Sequence, residues 1–272
     1  MRDELLAKYE VFLLDAFGVL VNSVGVLPGA RELIEAIGSA GKRFIIVTND
    51  ASRLPESAAK RYADLGLPVT VEHIQSSGML LVEHFERSGL VGANCLALGP
   101  PDSHEYVRRA GGVICEPRDD GDYGAVVCCD DAGYPFLGTL DATLSALFRL
   151  FDAGMQPALV LPNPDIIYPK GESSYGFTAG GAAMLLEEAL RRRYPDNPPR
   201  FVRLGKPAPT LFRSALKDSD PRTALMIGDQ LETDIAGAHA AEIDSVLVES
   251  GVSAKAKGIE PTYRVGSIAD LL

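Results

Sequence analysis

The sequence predicts an α/β protein built on a parallel sheet, and three observations carry that reading. Residues 11–14, 44–47 and 224–227 are short apolar runs without polar interruption, the pattern of strands buried on both faces. Stretches with helical spacing of apolar residues separate such runs, and this alternation is the mark of right-handed crossovers between parallel strands. The runs also end in Asp15, Thr48 and Gly228-Asp229, polar or flexible residues at the strand ends where open α/β sheets collect ligands.

Taken in order, residues 11–14 form the first strand, ending at Asp15 with Gly18 just beyond. Residues 28–40 read as a helix with Pro28 in its first turn, an apolar face of Leu33, Ile34 and Ile37, and Gly41 as its stop. Residues 44–47 are the second strand, running into Thr48, Asn49 and Asp50; helices follow at 55–65 and 77–87. Residues 95–98 read as the third strand, closed by Gly99-Pro100-Pro101. Residues 125–129 and 158–161 are strands around a helix at 139–153. The stretch PNPDIIYPKGESS has no periodicity and reads as an exposed loop. A helix at 179–193 ends in three arginines that suit its C-terminal dipole. YPDNPPR reads as a linker, followed by an apolar stretch at 201–204, a helix at 209–216, a strand at 224–227, a helix at 236–241 and a last strand at 245–248. The change of texture places domain boundaries near Gly99 and Arg200: residues 1–99 and 200–272 form a core, and 100–199 an inserted domain.

Composition bounds the function. The 272 residues are 46% hydrophobic and 23% charged, as in ordinary globular proteins with a sizeable core. A net charge of −11 disfavours nucleic acid or an acidic membrane as main partner, but leaves room for an anionic substrate in a locally positive site. No apolar run approaches the roughly 18–20 residues needed to span a bilayer. The acidic start MRDELLAKYE lacks the apolar segment of a signal peptide. Cys95, Cys115, Cys128 and Cys129 form no CxxC pair and have no histidine at ligand spacing, so a zinc site is not expected. Their apolar neighbours read as buried reduced thiols, which places the protein in the cytoplasm.

The strand ends carry the chemistry. In a parallel sheet they lie along one edge, so Asp15, Thr48, Asp229 and Asp234 are expected to converge, with Lys206 just before a helix. Three carboxylates in one crevice repel unless a cation sits among them, and an oxygen-only set favours magnesium. A threonine hydroxyl and a lysine ammonium suit a phosphate, and an aspartate facing it can act as nucleophile. That combination points to phosphoryl transfer through an aspartyl phosphate. Singly, each residue has a plainer reading. Asp15, Thr48 and Asp229 suit turns, Lys206 a solvated surface, and Asp234 a helix N-cap.

The motifs LLDAFGVL at Asp15, LPGA at Pro28, VTND at Thr48, NPDIIYP at Asn163, GKPAP at Lys206 and IGDQLETDIAGA at Asp229 span nearly the whole chain. Together they resemble the haloacid dehalogenase (HAD) superfamily, and more closely its class IIA branch of NagD-like, nitrophenyl-phosphatase-like and pyridoxal-phosphate-phosphatase-like proteins. The resemblance implies a Rossmann-like core with an α/β cap of C2 type inserted after the third strand. It implies a magnesium-dependent phosphatase of small phosphorylated metabolites, with Asp15 as nucleophile and metal ligand. Phe17 would offer its backbone carbonyl to the metal, Asp229 would be a further ligand, and Asp234 would lie beside the metal or in its outer shell. Thr48, Asn49 and Asp50 would hold the phosphoryl oxygens, Lys206 would neutralise them, and Tyr168 would contact substrate from the cap. Tyr168 reads equally as a tyrosine packed between domains. Relatives with such caps often pair, so a homodimer is expected.

One position departs from the pattern. Phosphatases that this chain resembles carry a second aspartate two residues after the nucleophile, where it protonates the leaving group; here the residue is Phe17. General acid–base catalysis is worth about 10²–10⁴-fold. Two alternatives follow: a metal-independent dehalogenase-type hydrolase, since DAFG resembles the DAYG of those enzymes, or a non-catalytic protein that binds a phosphorylated ligand. The retained Asp229 and Asp234 weigh against the first, because unneeded carboxylates in one crevice are costly.

Overall fold

The computed structural model describes residues 1–171, 174–249 and 259–272. Strands are β1 Val11–Leu14, β2 Arg43–Thr48, β3 Ile74–Ser76, β4 Asn94–Leu98, β5 Val113–Ile114, β6 Ala125–Cys128, β7 Ala158–Leu161, β8 Ile167–Gly171, β9 Ser174–Phe177, β10 Val202–Arg203, β11 Ala224–Gly228, β12 Asp244–Val248 and β13 Tyr263–Val265. Helices are α1 Arg2–Lys8, α2 Ala30–Ser39, α3 Pro55–Asp64, α4 Leu81–Ser88, α5 Pro101–Arg109, α6 Phe136–Asp152, α7 Ala179–Arg193, α8 Pro209–Leu216 and α9 Ala236–Ala240.

Two parallel sheets result. The first has the order β13-β12-β11-β1-β2-β3, the second β10-β7-β6-β4-β5. The unbroken apolar runs are explained by burial on both faces. Along β1, Phe12 and Leu14 join one apolar cluster with Leu33, Ile34 and Ile37 of α2, while Val11 and Leu13 join another with Leu211 and Phe212 of α8. The second sheet repeats the arrangement. Val126 and Cys128 pack towards α6 and α7, and Ala125 and Val127 towards α4 and α5.

Sheet membership corrects the expected division. The strand at 95–98 was expected to be the third of the first sheet. It is β4, paired in parallel with β6 through Cys95↔Ala125 and Leu98↔Cys128. The third strand is instead the three-residue β3, beside β2. On the return, β10 pairs with β7, so the stretch after the linker also belongs to the second sheet. The chain therefore changes sheets between β3 and β4 and again between β10 and β11, not at Gly99 and Arg200. An isolated apolar run reports burial but not which sheet it joins.

Two further expectations are revised. The stretch read as an aperiodic loop folds from Ile167 into an antiparallel hairpin, β8 against β9, with Tyr168 opposite Gly176; Glu172 and Ser173 of that stretch lie outside the described residues. A two-stranded ribbon that leaves Ile167, Tyr175 and Phe177 exposed has no buried face to impose alternation. The helix expected at 77–87 begins with a tight turn at Ser77–Leu80 before α4. No helix among the described residues is long and apolar enough to cross a membrane.

Candidate active site

The three central strands of the first sheet, β11, β1 and β2, deliver the acidic and hydroxyl residues at their C-terminal ends. Asp15 follows β1, and its N–H extends the ladder by donating to the Ile227 carbonyl at 2.9 Å. Thr48 is the last residue of β2, and Asp229 follows β11. Asp234 arrives from the wide helical turn Leu231–Ile235. Lys206 comes from the connection between β10 and α8. All four charged side chains are inside the protein: Asp15 is 6% exposed, Asp229 1%, Asp234 0% and Lys206 2%.

Carboxylate oxygens of Asp15, Asp229 and Asp234 lie within 4.8 Å of one another. The Lys206 ammonium bridges two of them, with Nζ 2.6 Å from Asp15 Oδ1 and 2.6 Å from Asp234 Oδ1. Burial opposes the charge on Lys206, but the carboxylates of Asp15, Asp234 and Asp165 outweigh it and hold the ammonium above the ordinary lysine range. Burial, and then the Asp234 charge, push Asp15 up to about 7, against the pull of Lys206. Three buried carboxylates whose oxygens converge this closely repel one another in a low-dielectric crevice, and that convergence is the physical case for a further cation. The donors are all oxygen, which fits a hard divalent ion. Asp234 is also engaged through its other oxygen, which accepts the N–H groups of Asp229 and Gln230, both at 3.1 Å. This is neither the helix N-cap considered for Asp234 nor a side chain turned fully to a metal; it braces the loop that carries Asp229.

Close packing fixes the residue types around this cluster. Gly18 has φ +93°, and a Cβ there would stand 2.4 Å from Asp229 Oδ2. Any side chain would push the acidic loops apart. A Cβ on Gly205 would stand 2.3 Å from Asn49 Oδ1, where the Lys206 segment crosses the loop after β2.

That loop is tightly organised. Thr48 Oγ1 accepts the Asp50 N–H at 3.1 Å. The Asp50 carboxylate turns to Ser52, accepting from its N–H and hydroxyl, and to Arg53. The Asn49 amide points to the Lys206 segment: Oδ1 accepts the Lys206 N–H at 2.7 Å and Nδ2 donates to the Lys206 carbonyl at 3.1 Å. Nδ2 also donates to Asp165 Oδ1 at 2.8 Å. Asp165 was not singled out in the sequence. It lies on the β7–β8 loop, and burial pushes its carboxyl up to about 6 against the Lys206 charge and the Asn49 bond. The NPD triplet was the only available signal: Asn163 Oδ1 accepts the Asp165 N–H in a local turn.

Tyr168 meets the first layer directly. Its ring lies edge-on to Phe17, with centroids 5.9 Å apart, and the Arg61 guanidinium lies 5.3 Å from the Phe17 ring centre. Tyr168 is thus both packed between the layers and turned to the site. Asp15, Phe17, Thr48 and Asn49 from one layer, with Asp165 and Tyr168 from the other, line a cavity of about 730 Å³.

A buried acidic cluster with a bridging lysine, set at the ends of adjacent parallel strands under a second α/β layer, defines a hydrolase-type crevice. Comparison with known proteins gives the family. Residues 12–112 match the model of haloacid dehalogenase-like hydrolases, and residues 203–271 match a HAD-hydrolase-like model. Mouse (Mus musculus) chronophin is 30% identical over 290 residues, covering 100% of this chain and 94% of that protein. Among solved structures, a possible sugar phosphatase of the HAD superfamily from Cytophaga hutchinsonii superposes with a TM-score of 0.84 at 31% identity, covering 98% of this chain and 96% of that one. A glycerol phosphate phosphatase from Mycobacterium tuberculosis in complex with magnesium gives 0.77 at 26% identity, covering 98% and 78%, and was also solved with calcium. The chain belongs to the haloacid dehalogenase-like hydrolases, in their class IIA branch.

Proposed function

We propose that the protein is a magnesium-dependent phosphatase of small phosphorylated metabolites, acting through an aspartyl phosphate at Asp15, with the second sheet and its hairpin as the cap. The observation that carries this reading is the buried cluster of Asp15, Asp229 and Asp234 around Lys206, beside Thr48 and open to a cavity. The names of the sugar and glycerol phosphate phosphatases support the substrate class, and the magnesium in the mycobacterial relative supports the metal.

Asp15, Asp229 and the Phe17 carbonyl are the groups that would hold magnesium, with Asp234 outside them; the ion would offset the carboxylates and the charge of a bound phosphoryl group. Lys206 pulls the Asp15 carboxyl towards the ionised form that a nucleophile requires, against burial and the Asp234 charge. Asp15 attacks phosphorus, the bond to the leaving oxygen breaks, and that oxygen takes a proton. Water then cleaves the acyl phosphate and restores the carboxylate. Thr48 and the backbone N–H groups of Asn49 and Asp50 orient the phosphoryl oxygens. The Asn49 side chain is spent on holding Lys206 in place.

Hydrolysis of 4-nitrophenyl phosphate in magnesium, its loss in EDTA, and a fall on the order of 10⁴-fold or more in Asp15→Asn are expected. No turnover at high enzyme under single-turnover conditions would overturn the assignment. Phe17 favours a second reading, a protein that binds phosphorylated ligands without turning them over. Mass spectrometry of enzyme acid-quenched during reaction with substrate separates the two, because a covalent phospho-Asp15 intermediate belongs only to the enzyme.

A further inference from the structure

Helix α3 presents one stripe to the cavity. Arg53 just before it, then Ser57 and Arg61, are spaced four residues apart, so they stand on one face, and all three line the same cavity as Asp15. Most other charged groups on the cavity wall already have a protein partner. Asp15 pairs with Lys206, and Asp50 with Arg53 and Ser52. Asp102 accepts the Leu54 N–H, Asp130 the Ala132 N–H and Asp165 the Asn49 amide. Asp131 lies in the field of Lys170. Arg61 is the exception: it is half-buried with its guanidinium over the Phe17 ring, and among the described residues it pairs with no carboxylate. One turn away, the Ser57 hydroxyl has no protein partner among the described residues. A cation and a hydroxyl donor thus face the cavity together from a rigid helix, over an aromatic floor two residues from the nucleophile.

We infer that Ser57 and Arg61 form an anion subsite for the part of the substrate that leaves, so the preferred substrate is a phosphate monoester carrying a second anionic group, a carboxylate or another phosphoryl. This rests on the phosphatase reading for the first phosphoryl group. The planar guanidinium suits a bidentate grip on either oxyanion, and the Phe17 face holds it in orientation. The subsite discriminates against neutral alkyl phosphates and raises affinity for dianionic skeletons of the same length.

The test uses non-hydrolysable probes, so that it does not depend on turnover. Binding of 3-phosphonopropionate, propane-1,3-bisphosphonate and propylphosphonate is measured by calorimetry in magnesium buffer, for wild type, Arg61→Gln, Arg61→Lys and Ser57→Ala. Wild type is expected to bind at least one of the two doubly anionic probes about ten- to hundredfold tighter than propylphosphonate, the range of a charge-assisted hydrogen bond. The tighter of the two names the second group. In Arg61→Gln the preference ratio collapses towards one; Arg61→Lys keeps part of it, and Ser57→Ala, at an exposed position, lowers it. Equal binding of all three probes by wild type, or a ratio that survives in Arg61→Gln, overturns the subsite. If Arg61→Gln does not fold, the ordering of wild type, Ser57→Ala and Arg61→Lys decides. Wild-type hydrolysis of 4-nitrophenyl phosphate is scored separately. Turnover without a preference ratio removes the subsite alone, and a ratio without turnover leaves the subsite and removes the phosphatase.

Discussion

Phe17 decides how the crevice handles a leaving group. Its ring meets Tyr168 edge-on and carries the Arg61 guanidinium on its face, so it is a packing centre where a carboxyl would be an acid. Phe17→Asp puts a carboxyl two residues after Asp15 without moving the backbone carbonyl at that position. Turnover of alkyl phosphates is expected to rise about 10- to 1000-fold, within what general acid catalysis supplies. Aryl phosphates gain less, since their leaving groups need less protonation. The readout is the alkyl-to-aryl ratio, with thermal unfolding as control, because the new carboxylate gives up the contact with Tyr168 and gains Arg61 as a counter-ion. An unchanged ratio in a folded variant would mean that another group already delivers the proton. At this scale the sequence was informative wherever strand-end position and chemistry agreed, as at Asp15, Thr48 and Asp229. It was silent on Asp165 and Arg61, whose significance lies in what faces them from distant segments.

The loops after β2 and β7 come from different sheets, and one hydrogen bond, Asn49 Nδ2 to Asp165 Oδ1, joins them at the crevice. It also fixes the Asn49 amide with its oxygen towards the Lys206 N–H, so the second layer reaches Lys206 through one intermediate residue. Asp165→Ala removes the acceptor and frees the amide to rotate. A fall in kcat of about tenfold is expected, from the loss of one hydrogen bond to a carboxylate. Asp165→Asn retains an acceptor oxygen and recovers most of the rate, a rescue that a merely space-filling role would not distinguish from Asp165→Leu. Element by element, long and strongly patterned segments were legible: α7 and α8 begin and end where the spacing placed them. The three-residue β3, the ribbon β8–β9 and the partnership of β4 were not. β3 is buried but has only three residues, two of them polar, the ribbon is mostly exposed, and strand pairing is a long-range choice that a local apolar run does not encode.

The whole molecule folds around a buried acidic cluster: carboxylate oxygens of Asp15, Asp229 and Asp234 converge within 4.8 Å at the strand ends of the first sheet, and Lys206 bridges Asp15 and Asp234. Carboxylates that converge in a buried crevice oppose folding, so a divalent cation that binds only the native crevice stabilises the entire chain by mass action. At a hundredfold excess over its dissociation constant the gain is about 2.7 kcal/mol. For a chain of this length that corresponds to a rise in Tm of roughly 5–10 °C. Calorimetric melting in EDTA, and then in magnesium with ionic strength matched by sodium chloride, reads the difference without any substrate. Matching the salt matters, because screening alone also relieves carboxylate repulsion. Asp229→Asn removes one ligand charge while keeping the shape of the side chain, and is expected to abolish most of the magnesium-dependent rise. Asp131→Asn, which lies on the cavity wall away from the cluster, retains it. A Tm that magnesium leaves unmoved in the wild-type chain would mean that the protein's own groups balance the crevice, and the metal-dependent reaction would fall with it.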